Sequence, residues 1–510
     1  MKSLGLAFLA GLVSALGFAP LGLWPLTLLA FAFLVWLIEG APSLRAALAR
    51  GWWFGVGQFV LGLNWIATAF TYQAAMPAWL GWVAVVLLSL YLAIYPAAAA
   101  GLAWRWAIGG TSASAGETPP PLAPGRPVVL VLLLAAAWIV TEWLRATLFT
   151  GFAWNPAGVA WVGVAGVAGL SAYVGTYGLG AVTLLAGGAL FLLARRRWLA
   201  GAAIAAPILA FALLLLPIRV TAPGGRPLIH IVQPNIGQQN KWDRGYEREN
   251  FERFVRLTGP PAPEPRLLLW PEAATPDFLA YDAAARRRLA ALLGPRDLLL
   301  LGGVEPVFDA AGMGIAAYNS VYVLTPDDRL TGRYDKAHLV PYGEYLPMRP
   351  ILSAIGLSRL APGDLDFRDG PGPRTLDLGA FGRAGVQVCY EIIFSGQVVD
   401  EANRPDFIFN PSNDAWFGAW GPPQHLAQAR LRAIEEGLPV IRATPTGVSA
   451  VIGADGLVEQ SLPLGTAGAI DSRLPGPFPP TLFARYGNLL PFAFALLLVA
   501  AAIAVRRKAR

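Results

Sequence analysis

Cysteine is almost missing from this chain. Cys389 is the only one in 510 residues, which excludes an internal disulfide and any cysteine-rich metal centre. Histidine is nearly as scarce: His230, His338 and His425 lie far apart and show no HxxxH spacing, so no metal site is expected. Charge is thin as well. Asp, Glu, Lys and Arg make up 14% of the chain against 55% hydrophobic residues, whereas soluble domains carry about a quarter charged residues. Much of the chain must therefore face something other than water. The net charge of +7 does not argue for nucleic acid, because many arginines flank apolar runs instead of forming a patch. No internal repeat is present.

Long apolar runs are abundant. Met1-Lys2 and the run to Pro20 have the look of a cleaved signal peptide, but a second run, Leu21 to Ile38, follows at once, so two short membrane helices are expected. Further spans read at about 51–71, 79–106, 127–147, 164–194, 198–217 and 486–505, each near or above the roughly 20 apolar residues that cross the hydrocarbon core. The Pro/Gly/Ser-rich piece from Gly109 to Pro127 reads as a cytoplasmic loop.

The connecting segments orient these spans. Lys2, Arg45 and Arg50, Arg105 and Arg126, Arg195-Arg196-Arg197 and Arg506-Arg507-Lys508 all fall on one side if every span crosses. The opposite short loops carry no Lys or Arg except Arg145. By the positive-inside rule the basic side is cytoplasmic. The segment between the seventh and eighth spans is then extracytoplasmic. The expected division is a seven-helix membrane domain over 1–217, an extracytoplasmic domain over 218–482, and a C-terminal membrane helix with a basic tail over 483–510.

Residues 218–482 have a different texture, with most of the acidic residues and strand-like runs alternating with helical ones. Strands are expected at Leu228–Gln233, Leu267–Trp270, Leu298–Val304, Ser320–Leu324, Ala384–Cys389 and Phe407–Asn410. Helices are expected at Glu247–Leu257, Ala283–Leu293 and Gln424–Glu436. This pattern is an α/β domain with a buried sheet.

Three segments of that domain end an apolar strand in a reactive side chain. Glu272 follows Leu267-Leu268-Leu269-Trp270-Pro271; Lys336 sits in the stretch Tyr334 to Glu344; Cys389 lies where Gly385-Val386-Gln387-Val388 breaks into a turn. A helix is expected to start after that turn, with Ser395 as its N-cap. A thiol beside backbone N–H groups and a helix N-terminus favours its thiolate. Each residue has a plainer account taken alone: a solvated turn glutamate, a surface lysine, a small buried cysteine. Together they supply what acyl transfer through a thioester requires, namely a base, a cation for the oxyanion and a nucleophile.

Glu272 in WPEAATP, Lys336 in YDKAHLVPYGEYLP and Cys389 in VCYEIIF resemble the Glu-Lys-Cys triad of the carbon–nitrogen hydrolase (nitrilase) superfamily. With EWLRATLFTGFAWNP at Glu142–Pro156, VQPNIGQQNKWD at Val232–Asp243, NPSNDAWFG at Asn410–Gly418 and the apolar runs on either side, the whole chain resembles the apolipoprotein N-acyltransferase family. That resemblance implies eight membrane helices and a four-layer αββα sandwich. It also implies transfer of an acyl chain from a phospholipid, typically phosphatidylethanolamine, to the N-terminal amine of a diacylglyceryl-cysteine apolipoprotein, without a cofactor. The enzyme so implied is a multi-pass, monomeric protein of the bacterial inner membrane with its catalytic domain in the periplasm. In its terms Glu272 is the base, Lys336 the oxyanion stabiliser and Cys389 the nucleophile. Glu344 orients the Lys and Glu pair, Tyr390 lends its N–H to the oxyanion, Glu391 is a supporting carboxylate, and Trp242 and Trp416 contact substrate. Two departures touch only the surroundings: Ala273 stands where family members often have Thr, and Ala443-Thr444-Pro445-Thr446-Gly447 lacks an Asn often found there.

A site serving such substrates must come down to the bilayer, because extracting an acyl chain costs about 0.8 kcal/mol per CH₂. Phe149, Phe152, Trp154, Trp416 and Phe417 are placed to line a lipid entrance, or the first three to form an interfacial belt. Glu142 and Arg145, three apart, read most simply as an intrahelical ion pair. The competing readings are a membrane-bound amidase that hydrolyses a small amide with the same triad, and a transporter or receptor. Paired broken helices and intramembrane ion pairs would mark a transporter, and neither is evident.

Overall fold

The computed structural model describes residues 2–72, 77–108, 125–215, 226–354 and 366–508. The expected loop from Gly109 falls for the most part outside the described residues, as does the expected boundary at 217/218. Two compact units emerge: Met1–Asn64 with Trp82–Ile218 and Pro480–Arg510, and Trp65–Gly81 with Arg219–Pro479.

The first unit is helical. Among the described residues, Leu80–Ala107, Arg126–Thr150, Ser171–Ala194 and Leu489–Lys508 are long and apolar enough to cross a membrane. A broken pair, Leu44–Gly62 of this unit and Ile66–Tyr72 of the second, makes a fifth if counted as one span, and Lys2–Ala15, Trp24–Glu39 and Trp198–Leu214 are shorter apolar helices. Glycine lets two of these helices meet backbone to backbone: a Cβ on Gly11 would sit 2.0 Å from the Phe54 carbonyl oxygen, and one on Gly57 2.1 Å from that of Phe8. Small residues at such contacts are the usual basis of helix packing in lipid.

Two expectations for this unit need correction, and a third is found with further partners. The run from 164 does not enter one helix; it follows the 3₁₀ turn Ala157–Gly163 and passes through the short helix Ala165–Ala168 before Ser171–Ala194 begins. Trp154 is fully buried, so it belongs neither to a lipid entrance nor to a belt, while Phe149 is 82% exposed. The expected intrahelical ion pair is present, with Glu142 and Arg145 3.8 Å apart, and both residues have closer partners besides. Glu142 accepts from Trp138 Nε1 and the Ala157 N–H, and Arg145 donates to the carbonyls of Phe152 and Trp154. The pair ties the helix to the irregular segment after it.

The second unit holds two six-stranded sheets. In chain order the strands are β1 (Leu228–Gln233), β2 (Arg266–Leu269), β3 (Leu298–Phe308), β4 (Gly314–Leu324), β5 (Leu330–Asp335), β6 (Thr375–Asp377), β7 (Arg383–Val386), β8 (Phe407–Pro411), β9 (Val440–Ala443), β10 (Ala450–Ile452), β11 (Val458–Ser461) and β12 (Gly468–Arg473). One sheet runs β12-β1-β2-β3-β4-β5 and the other β11-β10-β9-β8-β7-β6. The parallel strands β1, β2 and β8 are buried along nearly their whole length, which is why they read as continuous apolar runs. Helices Glu247–Thr258 and Ala283–Ala290 cover the first sheet through Phe254 and Leu289, which share a core with Leu268, Trp270, Leu299 and Leu301. Across the sheets, Gln233 accepts from the Ser449 N–H and the Thr444 hydroxyl.

Candidate active site

The Glu272 turn is pinned to the neighbouring strand. Past the end of β2, Trp270 N–H donates to Leu300 O, Gly302 N–H to Pro271 O and Ala274 N–H to Gly302 O. Only glycine fits at 302, because a Cβ there would lie 2.4 Å from the Ala273 nitrogen. The Glu272 carboxylate is thereby held inside, 6% exposed. Its Oε1 accepts from Asn319 Nδ2 at 2.7 Å. Its Oε2 is buried with no hydrogen-bond partner among the described residues.

Lys336 comes directly after β5, with its N–H on the Asn319 carbonyl and its own carbonyl accepting from Gly370. The ammonium is buried, 2.8 Å from Glu344 Oε2 and 3.8 Å from Glu272 Oε1. Asn319 Nδ2 also donates to Glu344 Oε1 at 3.0 Å, bridging the two carboxylates. Burial works against the charge of Lys336, but Glu344 and Glu272, with Cys389, outweigh it and hold its pKa above the usual lysine range. A permanent cation between two carboxylates results.

Cys389 sits in a different kind of turn from the one expected. β7 ends at Val386, and Cys389–Ile393 is a single 3₁₀ turn that Cys389 enters at φ +52°. No helix begins at Ser395, whose hydroxyl donates to Glu435 at 2.8 Å instead of capping. Without a helix N-terminus, the thiol has little to ionise it at rest. Burial and the Glu272 charge push its pKa well up, against the opposing pull of Lys336. A resting neutral thiol needs a base at the moment of attack.

Glu391 locks the turn. Its Oε2 accepts the Val388 N–H at 2.6 Å, and its Oε1 accepts the Ala337 and His338 N–H groups at 2.7 and 2.9 Å. The Tyr334 hydroxyl donates to the same carboxylate at 2.9 Å. The residue after Lys336 is thus tied to the residue before Cys389. Burial raises the Glu391 pKa to about 7 in spite of those donors. Tyr390 is buried beside the thiol, its ring edge-on to Phe394 at 5.2 Å.

The two tryptophans part company. Trp242 is 38% exposed and lines a cavity of about 810 Å³ that Glu272 also lines. Beside it, Lys241 donates to the Glu272 carbonyl at 2.9 Å. Trp416 lies on the 3₁₀ turn Asp414–Trp416 with its ring 5.9 Å from Tyr72, and it does not line the Trp242 cavity. Asn319, Lys241, Asp414, His425 and Arg442 are neighbours of the triad that the sequence reading missed. Asn319 carries a signal, as a polar residue within the largely apolar β4, and Asp414 lies inside NPSNDAWFG. Among the described residues no group of His, Cys, Asp and Glu is placed to hold a metal.

Two family models match the chain. Residues 10–189 match the apolipoprotein N-acyltransferase N-terminal domain, and residues 228–474, from β1 to β12, match carbon-nitrogen hydrolase. Proteins named apolipoprotein N-acyltransferase from Rhodopseudomonas palustris and Caulobacter vibrioides are 36% and 37% identical to it. The first alignment covers 99% of this chain and 95% of the relative, the second 98% and 94%. Among solved structures, Saccharomyces cerevisiae Nit3, a member of branch 10 of the nitrilase superfamily, is 19% identical over 50% of this chain and 93% of its own, with a TM-score of 0.34.

Proposed function

The chain belongs to the apolipoprotein N-acyltransferase family, and on that premise we propose that it moves a fatty acyl group from a phospholipid to the N-terminal amine of a diacylglyceryl-cysteine apolipoprotein. The observation that carries the mechanism is Glu272 Oε2, buried with no hydrogen-bond partner among the described residues, on a carboxylate whose other oxygen lies 3.8 Å from the Lys336 cation and within electrostatic reach of a neutral thiol. In the first half-reaction Glu272 takes the Cys389 proton as the sulfur attacks the ester carbonyl. Lys336 and the Tyr390 N–H stabilise the oxyanion. The C–O bond breaks, and Glu272 returns the proton to the departing lysophospholipid hydroxyl. In the second, the acceptor amine attacks the thioester, Glu272 takes a proton from the nitrogen, and the thiolate leaves to be reprotonated. Glu344 and Asn319 hold Lys336 and Glu272 in register, Glu391 holds the turn, and Trp242 and Trp416 contact the lipid substrates. No step calls for a cofactor.

The eight apolar helical stretches are all membrane spans in this reading, flanking a four-layer αββα sandwich. The one-sided arginine clusters support an extracytoplasmic position for residues 218–482, the periplasm in this reading of the chain as a monomer of the bacterial inner membrane. A periplasm-dependent reporter fused near Gly370 should be active and one near Gly116 silent; the reverse pattern would sink the topology. The function is tested by incubating purified protein with phospholipid and a diacylglyceryl-cysteine peptide. An amide-linked third acyl chain on the peptide is the expected product. Hydrolysis of simple amides, with no acylated peptide, would make the chain an amidase instead.

A further inference from the structure

A buried network beneath the Cys389 turn has no part in the chemistry above. Asp414 lies on the turn after β8, His425 on the helix Gly421–Glu436 and Arg442 on β9, and none of the three side chains reaches solvent. Arg442 Nη2 donates to both Asp414 oxygens at 2.7 and 2.6 Å, and its Nη1 donates to Ser412 Oγ at 3.0 Å and to Asn410 Oδ1. The fully buried ion pair is therefore compensated within itself. His425 faces the other way. Its Nε2 lies 3.0 Å from the carbonyl oxygen of Cys389, while its Nδ1 lies 3.0 Å from both Arg442 Nη2 and Asp414 Oδ1.

The tautomer follows from these contacts. A carbonyl oxygen only accepts, so Nε2 must carry a hydrogen. Nδ1 faces Arg442 Nη2 and Asp414 Oδ1 at equal distance, and of the two only the arginine can donate to a neutral ring, sharing its hydrogens with the carboxylate. Burial and the Arg442 charge lower the imidazole pKa, outweighing the upward pull of the Asp414 carboxylate and the Cys389 carbonyl, and this favours the neutral ring. The carbonyl so gripped belongs to a residue at φ +52°, a conformation that a non-glycine residue keeps only where its surroundings impose it.

We infer that His425 is a positioning residue for this reaction: as the neutral Nε2–H tautomer held by Arg442, it fixes the Cys389 carbonyl and with it the left-handed turn that presents the sulfur. The inference rests on Cys389 being the nucleophile. His425 does not touch the reacting atoms; it acts through the main chain of Cys389.

The test uses the full-length protein in micelles with phospholipid, following thioester formation by intact mass. His425→Phe keeps the ring shape without a donor, and His425→Gln restores an N–H near the Nε2 position. His425→Phe should slow acylation by about 10²-fold with half-saturating phospholipid changed less than about threefold, and Gln should recover at least about tenfold. Equal loss in both variants, or a Phe variant within about threefold of wild type, overturns the inference. If the Phe variant does not fold, ¹⁵N-histidine NMR of the wild-type protein decides. A neutral, Nε2-protonated His425 is expected, and an imidazolium or an Nδ1–H tautomer contradicts it. Acylation that persists in Cys389→Ala strikes at the nucleophile assignment itself, and that result is distinct from any change at His425.

Discussion

The two sheets of the α/β unit meet one demand, reactive polar groups inside a core, in opposite ways. The first sheet gathers charge. Glu272, Lys336 and Glu344 form a buried cluster in which one cation serves two carboxylates, and Asn319 bridges them. The second sheet presents an uncharged thiol and neutralises the charges behind it, Asp414 against Arg442. Desolvated ions are costly unless paired in good geometry, so the first sheet fixes its side chains against one another. The thiol makes no such demand, and the second sheet fixes its backbone instead. Chemistry at the seam needs both, and Glu391 joins them by accepting from Val388 on one side and from Ala337, His338 and Tyr334 on the other.

The largest effect should come from disturbing the charged side. Lys336→Arg keeps the positive charge but replaces a compact ammonium with a broad planar group at a fully buried position between two carboxylates. Thioester formation should fall by about 10²–10³-fold, the usual loss for an oxyanion donor. A rate within a few-fold of wild type would show that the first sheet contributes only net charge. The joint is expected to be more forgiving. In Glu391→Gln one oxygen becomes an NH₂ group, which leaves one backbone N–H without an acceptor at a cost of about 1–3 kcal/mol. Thermal unfolding should occur at a lower temperature, with acylation slowed less than in the lysine variant. A larger loss of rate than Lys336→Arg gives would make the joint, not the cation, the critical feature.

A smaller effect lies in pH. The Glu391 carboxyl is raised from 4.5 to about 7 in the folded protein. Between those values the folded chain holds a proton that the unfolded chain has released. Its contribution to stability is complete below about 4.5 and is lost as pH rises through about 7. The unfolding temperature of the wild type should therefore slope downward across that window, and Glu391→Gln should remove that part of the slope. An unchanged slope in the variant would assign the titration to another group.

Where burial is two-sided the sequence was easy to read. β1 was expected over Leu228–Gln233 and is found there, and β8 extends the expected strand by one residue. Glu272, Lys336 and Cys389 follow the ends of β2 at Leu269, β5 at Asp335 and β7 at Val386. Strands with little apolar content escaped notice: β11 is Val-Glu-Gln-Ser and exposed throughout, and β5 mixes a glycine with charges. The Cys389 turn was misread because its conformation is imposed by Glu391 and His425, whose partners are remote in sequence or depend on the turn itself. A histidine and an arginine in a helix and a strand suggest solvent, yet His425 and Arg442 are fully buried. Nothing local marks them as such; only the packing of β8, β9 and the helix Gly421–Glu436 brings their partners within reach.

The account stands or falls on the fate of the acyl group at Cys389. An acyltransferase must hold its thioester until an amine arrives, whereas a hydrolase with the same triad discharges it to water. The decisive measurement is the intact mass of the full-length protein after exposure to phospholipid alone. The predicted result is a stable increase of one fatty acyl group on Cys389, removed by neutral hydroxylamine and discharged onto a diacylglyceryl-cysteine peptide when one is added. Steady release of free fatty acid without any amine, and no lasting adduct, would contradict it.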